Sequence, residues 1–414
     1  MGTYGPCSRG VIFPIATAIL ELGVSAGHPE LLAAIASEVT ACGPIPFVRF
    51  MELALYHPQF GYYMRSSKPA AERIGRTGDF YTSSDVHPIL GQALAKQAEQ
   101  MDRLLGEPSP FTIVEMGAGK GLLARHILST SQRDYPSLLN RLRYVLIERS
   151  PAMREAQRIN LAPWLERPDL ITWVNDLASI PPDSLTGLCL SNELVDSFPV
   201  HRLQRTAHGV EELWVDYRGG RFVECFKPLS SDRLASHLRR IPSDWPEGYR
   251  TEINLHALDW MTRVAQRLNR GFVLTIDYGH TAQDLYGADR TRGTFLCYRQ
   301  HTVHEDPFLH VGEQDMTTHV DFSSLVTVGE EHGLQTTGFT NQMSFLMGLG
   351  VEQMLAGLDQ NSPELTAAIQ LLKPNGMGTT FKVLVQHKAV PRPELNGLRY
   401  KPFFRSVLAT QSAA

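Results

Sequence analysis

The sequence predicts an α/β fold, a mostly parallel sheet with helices on both faces. Three observations carry this. From residue 111 onward, short apolar, β-prone runs alternate with helical patterns, the order that builds a parallel sheet. Several of those runs end in a carboxylate, at the strand ends where such sheets bind ligands. Between the first run and the next helical pattern stands a loop with glycine at alternate positions, 117, 119 and 121. The 414 residues suffice for a large core with additions.

Taken in order, residues 29–39 carry leucine, alanine and isoleucine at helical spacing. Gly43-Pro44-Ile45-Pro46 breaks that helix. A second helix covers 47–55 and stops before His57-Pro58. A polar loop reaches Gly78, residues 78–84 read as irregular, and a helix over 88–105 leads into the first strand. Strands are expected at 111–115, 142–148, 170–174, 187–191 and 271–276, with 339–345 and 380–386 completing a seven-stranded, Rossmann-like sheet. Pro151 suits the first turn of a helix over 151–161.

Two insertions interrupt the alternation. Residues 200–203, 211–217 and 221–226 read as short strands with Gly219-Gly220 as a hairpin turn, and a helix over 254–268 returns to the sheet. Residues 287–321 are rich in histidine and lack a period. The expected organisation is an N-terminal extension (1–28), a helical and loop cap over the cofactor site (29–106), the main domain (107–387, with insertions at about 200–253 and 287–321) and a tail (388–414) with little order.

Composition narrows the function classes. A formal net charge of −4 argues against a dedicated nucleic-acid binder. Five cysteines without a CxxC pair argue against a disulfide framework or zinc site and suit a reducing compartment, bacterial cytoplasm or mitochondrial matrix. The apolar run 11–20 follows Arg9 but is interrupted by Pro14 and closed by Glu21. It is shorter than the roughly 20 residues of a membrane span, so no membrane insertion is expected.

The glycine loop fits neither familiar phosphate pattern. Lys120 is followed by Gly121 without the P-loop spacing, and Leu122 stands where a dinucleotide fingerprint needs glycine. The pattern present, Glu115-x-Gly117-x-Gly119-x-Gly121, is the first motif of class I S-adenosylmethionine (SAM) methyltransferases. Glu115 suits the positive charge of that cofactor. Glu148, ending the second strand, can accept protons from both ribose hydroxyls, and Asp176, ending the third, is placed for the adenine amino group. Each carboxylate could instead simply cap the helix after it.

After the fourth strand comes Asn192-Glu193-Leu194-Val195-Asp196-Ser197-Phe198-Pro199. Enzymes that methylate base amino groups usually carry an Asn/Asp-Pro-Pro-aromatic motif here, so Asn-Glu-Leu-Val disfavours that acceptor. Glu193 and Asp196 suit a cationic acceptor, because a guanidinium binds carboxylates in a bidentate fork. The alternative for Asp196 is a helix or turn cap. In the histidine-rich insertion, His301, His304, His310 and His319 with Asp306, Asp315 and Asp321 show no metal-ligand spacing. A substrate-binding loop using Tyr298, His301 and Asp306 is expected there, and Lys120 is expected to point to solvent.

The chain resembles the MidA family over about residues 30–387. The matching stretches are 50–56, Gly61-Tyr62-Tyr63, Gly78-Asp79-Phe80-Tyr81-Thr82, 115–121, Asn192-Glu193 with Asp196 and Pro199-Val200, Asp277-Tyr278-Gly279, Gly293-Thr294-Phe295 with Tyr298 and His301, and 315–322. The resemblance implies a SAM-dependent protein-arginine methyltransferase. Its mitochondrial members act on a core subunit of respiratory complex I and promote early assembly. It implies that Gly78, Asp79 and Thr82 close over SAM and that Asn192, Glu193, Asp196 and Asp277 form the catalytic end. Tyr278, Tyr298 and His301 would meet a protein substrate bearing the target arginine. Readings from other classes are a SAM-binding assembly chaperone with little turnover and a small-molecule amine methyltransferase.

Overall fold

The computed structural model describes residues 26–65, 75, 78–79, 82–374 and 376–401. Most of the N-terminal extension, Phe80 and Tyr81 of the loop expected over the cofactor, and the last part of the tail lie outside the described residues.

The central sheet contains β1 (Phe111–Met116), β2 (Leu142–Ile147), β3 (Ile171–Val174), β4 (Leu185–Asn192), β5 (Leu268–His280), β6 (Gln335–Asn341) and β7 (Phe381–Lys388). Their order across the sheet is β6-β7-β5-β4-β1-β2-β3, and a short strand, Val320–Asp321, pairs with β5 off this path. The first five strands run parallel, and β7 lies antiparallel to β5 and β6. The alternation of strand and helix therefore produces the expected α/β class. Every residue of β1 is buried, as in a strand covered on both faces. One core joins the sheet to the helices Ile89–Leu104 and Leu122–Asp134, and a second joins it to Leu255–Arg267 and Phe322–Glu331.

A third core sits apart. The helices Pro29–Cys42 and Phe47–Tyr56 pack through Leu31, Ile35, Phe47 and Phe50 against Val215 and Phe222 of the first insertion and Phe295, Cys297 and Met316 of the second. Ile45–Pro46 adds a strand to the first insertion's sheet by pairing with Val215 and Trp214. Gly219 and Gly220 both have positive φ, 57° and 80°, as a tight hairpin turn requires. The second insertion, whose sequence shows no period and in which a substrate-binding loop is expected, forms three strands, Leu296–Arg299, Thr302–His304 and Asp315–Thr317.

Three boundaries differ from expectation. β5 does not stop before Asp277, because Asp277 and Tyr278 stay in register with Lys382 and Phe381 of β7, and Gly279 and His280 pair with Val320 and Asp321. β6 covers 335–341 rather than 339–345, because Asn341 turns helix cap and its Oδ1 accepts from Ser344 N at 2.7 Å. The tail through Lys401 is docked: Gln100 and Gln97 accept hydrogen bonds from Asn396 N and Gly397 N at 3.0 and 3.1 Å.

Three strands meet at a row in which two glycines have no room for a side chain. Thr112 of β1 pairs with Gly187 of β4, which pairs with Gly271 of β5. Both glycines have φ near 142°, and a Cβ on Gly187 would lie 2.2 Å from the Thr112 carbonyl oxygen. Gly187→Ala should therefore destabilise the protein by about 3 kcal/mol or more, through clash and a disfavoured dihedral. Urea denaturation measures this, and an unchanged midpoint would contradict the close approach.

Candidate active site

A cavity of about 860 Å³ opens at the carboxyl ends of β1–β4 and runs from the glycine loop to the second insertion. At one end stand Gly117 and Gly119; they and Gly121, which lies in the same loop but outside the lining, have φ of 72°, 50° and 79°, so the alternate glycines answer a backbone need. A Cβ on Gly117 would lie 2.8 Å from Leu194 Cδ1, and one on Gly121 3.1 Å from Gln157 Cγ. Gln157 donates to Gly119 O at 2.8 Å and to Glu148 Oε2 at 3.2 Å, tying the loop to the end of β2. Ser150 N donates to Glu148 Oε1 at 2.7 Å.

Glu115 lines the same end and accepts from Tyr144 Oη at 2.5 Å; burial pushes its pKa up to about 7. Asp176 lines the cavity too, accepting from Ala178 N at 2.9 Å and pairing with the Arg149 guanidinium. It thus also caps a short turn, as the plainer reading of the sequence allowed. Ile147, Leu177 and Met153 supply apolar wall between these polar groups. Carboxylates, apolar wall and close backbone suit a ligand with a ribose, a flat base and a cationic centre better than one with a pyrophosphate. The residues present fit SAM.

At the other end stand Asn192, Glu193 and Asp196. Glu193 adopts φ 53°, a conformation a non-glycine residue takes only when its surroundings hold it. Its backbone N–H donates to Ile276 O at 3.0 Å. Glu193 Oε1 accepts from Ser83 N at 2.8 Å and from Asn192 Nδ2 at 3.1 Å. Burial is the main cause that pushes its pKa up to about 8. Asp196 is raised to about 6, again mainly by burial, although Tyr278 Oη donates to its Oδ2. Asp196 Oδ1 and Asn192 Oδ1 are buried with no hydrogen-bond partner among the described residues. Among the described residues, no lysine, arginine or histidine forms an ion pair with Glu193 or Asp196.

Not every expected residue reaches the cavity. Asp277 is fully buried and does not line it. Its Oδ2 accepts from the N–H groups of Leu194, Val195 and Asp196 at 3.2, 2.9 and 3.3 Å, so it positions the loop and does not face the acceptor. Gly78 and Asp79 are buried away from the lining. Asp79 is occupied by Tyr62 Oη and Gln300 N, both at 2.9 Å, which corrects its assignment to the cofactor. His301 sits at an exposed turn outside the lining, its N–H bonded to Asp79 O at 3.0 Å. Lys120 does not point to solvent; it pairs with Asp85 Oδ1 at 2.5 Å. Asp85 also accepts from Thr82 N at 3.1 Å, and Thr82 does line the cavity. Tyr278 and Tyr298 line it as well.

Several lining residues have no cavity role assigned from the sequence, among them Tyr56, Tyr63 and Asp315, the last weighed only as a metal ligand. Their signal was the position of each within a motif shared with the family, but nothing local marked them as neighbours. Among the described residues, no group of three His, Cys, Asp or Glu side chains is placed to hold a metal, and no helix is long and apolar enough to cross a membrane.

Comparison with known proteins agrees with this geometry. A family described as "Putative S-adenosyl-L-methionine-dependent methyltransferase" matches residues 93–340. A Burkholderia thailandensis structure, described as a "likely methyl transferase" bound to S-adenosyl-homocysteine, is 30% identical, with a TM-score of 0.80 over 95% of this chain and 98% of that one. The Drosophila melanogaster protein arginine methyltransferase NDUFAF7 homolog, mitochondrial, is 28% identical over 88% of this chain and 86% of its own length. The Homo sapiens protein arginine methyltransferase NDUFAF7, mitochondrial, is 28% identical over 88% and 84%.

Gly119→Val should weaken SAM binding by about 100-fold or more, since a branched side chain resists the left-handed dihedral and blocks backbone approach. Titration calorimetry decides this; an affinity equal to that of the parent protein would remove the loop from the cofactor site.

Proposed function

The chain belongs to this family of SAM-dependent methyltransferases, and from that premise we propose that it methylates the guanidinium of an arginine on a protein partner. The observation that carries the proposal is the acceptor end of the cavity, where Glu193 and Asp196 form no ion pair with a lysine, arginine or histidine among the described residues. Carboxylates held in so poorly solvated a place carry a desolvation cost that a cationic ligand relieves. The names of the relatives, protein arginine methyltransferases, support the same acceptor. The partner we propose is a subunit of respiratory complex I, as the family resemblance implies.

Bound SAM supplies a methyl group made electrophilic by its sulfonium. In this proposal the glycine loop lets backbone approach the cofactor, Glu148 receives the ribose hydroxyls, and Asp176 lies by the adenine. Glu115 and Thr82 complete the cofactor contacts. Glu193 receives the guanidinium, its carboxylate held still by Ser83 N–H and the Asn192 amide. Asp196 Oδ1, without a hydrogen-bond partner among the described residues, is the atom that takes the proton released as an arginine nitrogen is methylated. Tyr278 holds the other oxygen of Asp196 and so fixes which one is offered.

The test is to incubate the protein with labelled SAM and extract from cells lacking it, then hydrolyse and identify the labelled residue. Methylarginine in a protein band is expected. Glu193→Gln should lower turnover by about 100-fold while SAM affinity stays within about threefold. Label confined to small metabolites, or full turnover by Glu193→Gln, would overturn the assignment.

A further inference from the structure

The acceptor end has a second wall, built from outside the sheet. Tyr56 ends the helix Phe47–Tyr56, Tyr63 lies in the turn after it, and Asp315 opens the strand Asp315–Thr317 of the second insertion. All three line the cavity with Asp196 and Tyr298. Asp315 is 3% exposed, yet no lysine, arginine or histidine among the described residues forms an ion pair with it. Its Oδ1 accepts from Tyr63 Oη at 2.7 Å and from Met316 N at 2.9 Å. The Tyr63 ring stacks on Tyr56 at 5.5 Å and 21°, and Tyr56 Oη donates to Ser197 O at 3.1 Å. Thr318 N donates to Asp196 O at 2.9 Å, which fastens this strand to the turn carrying Asp196. The partnerless Asp196 Oδ1 thus lies at a cavity walled by a further carboxylate and by tyrosine rings.

We propose that Asp315, held by Tyr63, is a specificity-determining residue that accepts the non-reacting N–H groups of the guanidinium and so selects arginine over lysine. This rests on the arginine reading of the same cavity. A guanidinium is flat and offers five N–H donors in one plane, more than Glu193 and Asp196 receive from one side. A third carboxylate on a separate chain segment supplies acceptors for the far edge. Aromatic rings in the wall suit a delocalised cation that sheds its water easily. A lysine ammonium has three donors at a point and holds its water more tightly, so it gains less from a second wall. Burial first, then the neighbouring Asp196 charge, hold the Asp315 pKa well above the usual carboxylate range until a cation arrives.

The experiment uses the full chain saturated with S-adenosyl-homocysteine, with N-acetylarginine methylamide and N-acetyllysine methylamide as probes in an NMR titration. The parent protein should prefer the arginine probe by about tenfold or more. Asp315→Asn should weaken the arginine probe by about tenfold, change the lysine probe by less than about threefold, and leave S-adenosyl-homocysteine affinity within about twofold. Asp315→Glu should restore part of the preference. An unchanged preference, an equal loss for both probes, or a parallel loss of S-adenosyl-homocysteine would overturn the proposal. If Asp315→Asn does not fold, Tyr63→Phe replaces it: weaker arginine binding with the lysine probe unchanged supports the role, and parent-like binding of both overturns it. The two readings fail separately. A protein that methylates no arginine, yet loses its probe preference in Asp315→Asn, refutes only the transfer reaction. One that methylates arginine equally well in Asp315→Asn refutes only the role of Asp315.

Discussion

The carboxylate of Asp277 holds the turn on which the acceptor end depends. One of its oxygens gathers three successive backbone N–H groups, those of Leu194, Val195 and Asp196, and the other accepts from Tyr278 N at 3.0 Å. Burial and the adjacent Asp196 charge push the Asp277 pKa well above the usual range, against the four N–H donors that favour the charged form. The consequence is geometric. With Asp277 in place and Glu193 N bonded to Ile276 O, the chain leaves β4 with Glu193 at positive φ, and Glu193 and Asp196 both face the cavity. The pairing of β4 with β5 puts Asp277 within reach, so sheet register and acceptor geometry are one constraint.

Around that turn the protein gathers carboxylates that no lysine, arginine or histidine among the described residues pairs. Glu193, Asp196 and Asp315 line one cavity, all with raised pKa, and burial is the largest cause for each. Other carboxylates are paired with a cation, Asp85 with Lys120, Asp102 with Arg141 and Asp176 with Arg149, the first and last of these pairs on the same cavity lining. A buried carboxylate without a paired cation either keeps a proton or waits for a cation. In the proposed reading this is a stored preference for a positively charged ligand, set by burial rather than by net charge.

Much of the fold, and the residues that line the glycine-loop end of the cavity, could be read from the sequence, because both are written locally. Alternate glycines declare a left-handed backbone at 117, 119 and 121, and apolar runs ending at Glu148 and Asp176 declare strand ends at the crevice. The same rule misplaced Asp277, since a strand-end carboxylate can face the ligand or turn back to bind its neighbour's backbone, and spacing does not say which. Asp79 failed similarly: its partners Tyr62 and Gln300 are distant in the chain, and only folding brings them near. Tyr56, Tyr63 and Asp315 meet through a third core shared by the N-terminal helices and both insertions, a contact that no periodicity encodes. Lys120 looked solvent-bound because its partner, Asp85, lies before the strand that leads into the loop.

The most direct measurement counts protons. Calorimetric binding of N-acetylarginine methylamide to the S-adenosyl-homocysteine complex, repeated near pH 7 in buffers of different ionisation heat, gives the number of protons released. Glu193, with a pKa of about 8, is largely protonated there and must ionise to receive the cation. The account predicts release of at least one proton and an affinity that rises with pH up to about 8, both reduced in Glu193→Gln. Binding with no proton release and no pH dependence would contradict it.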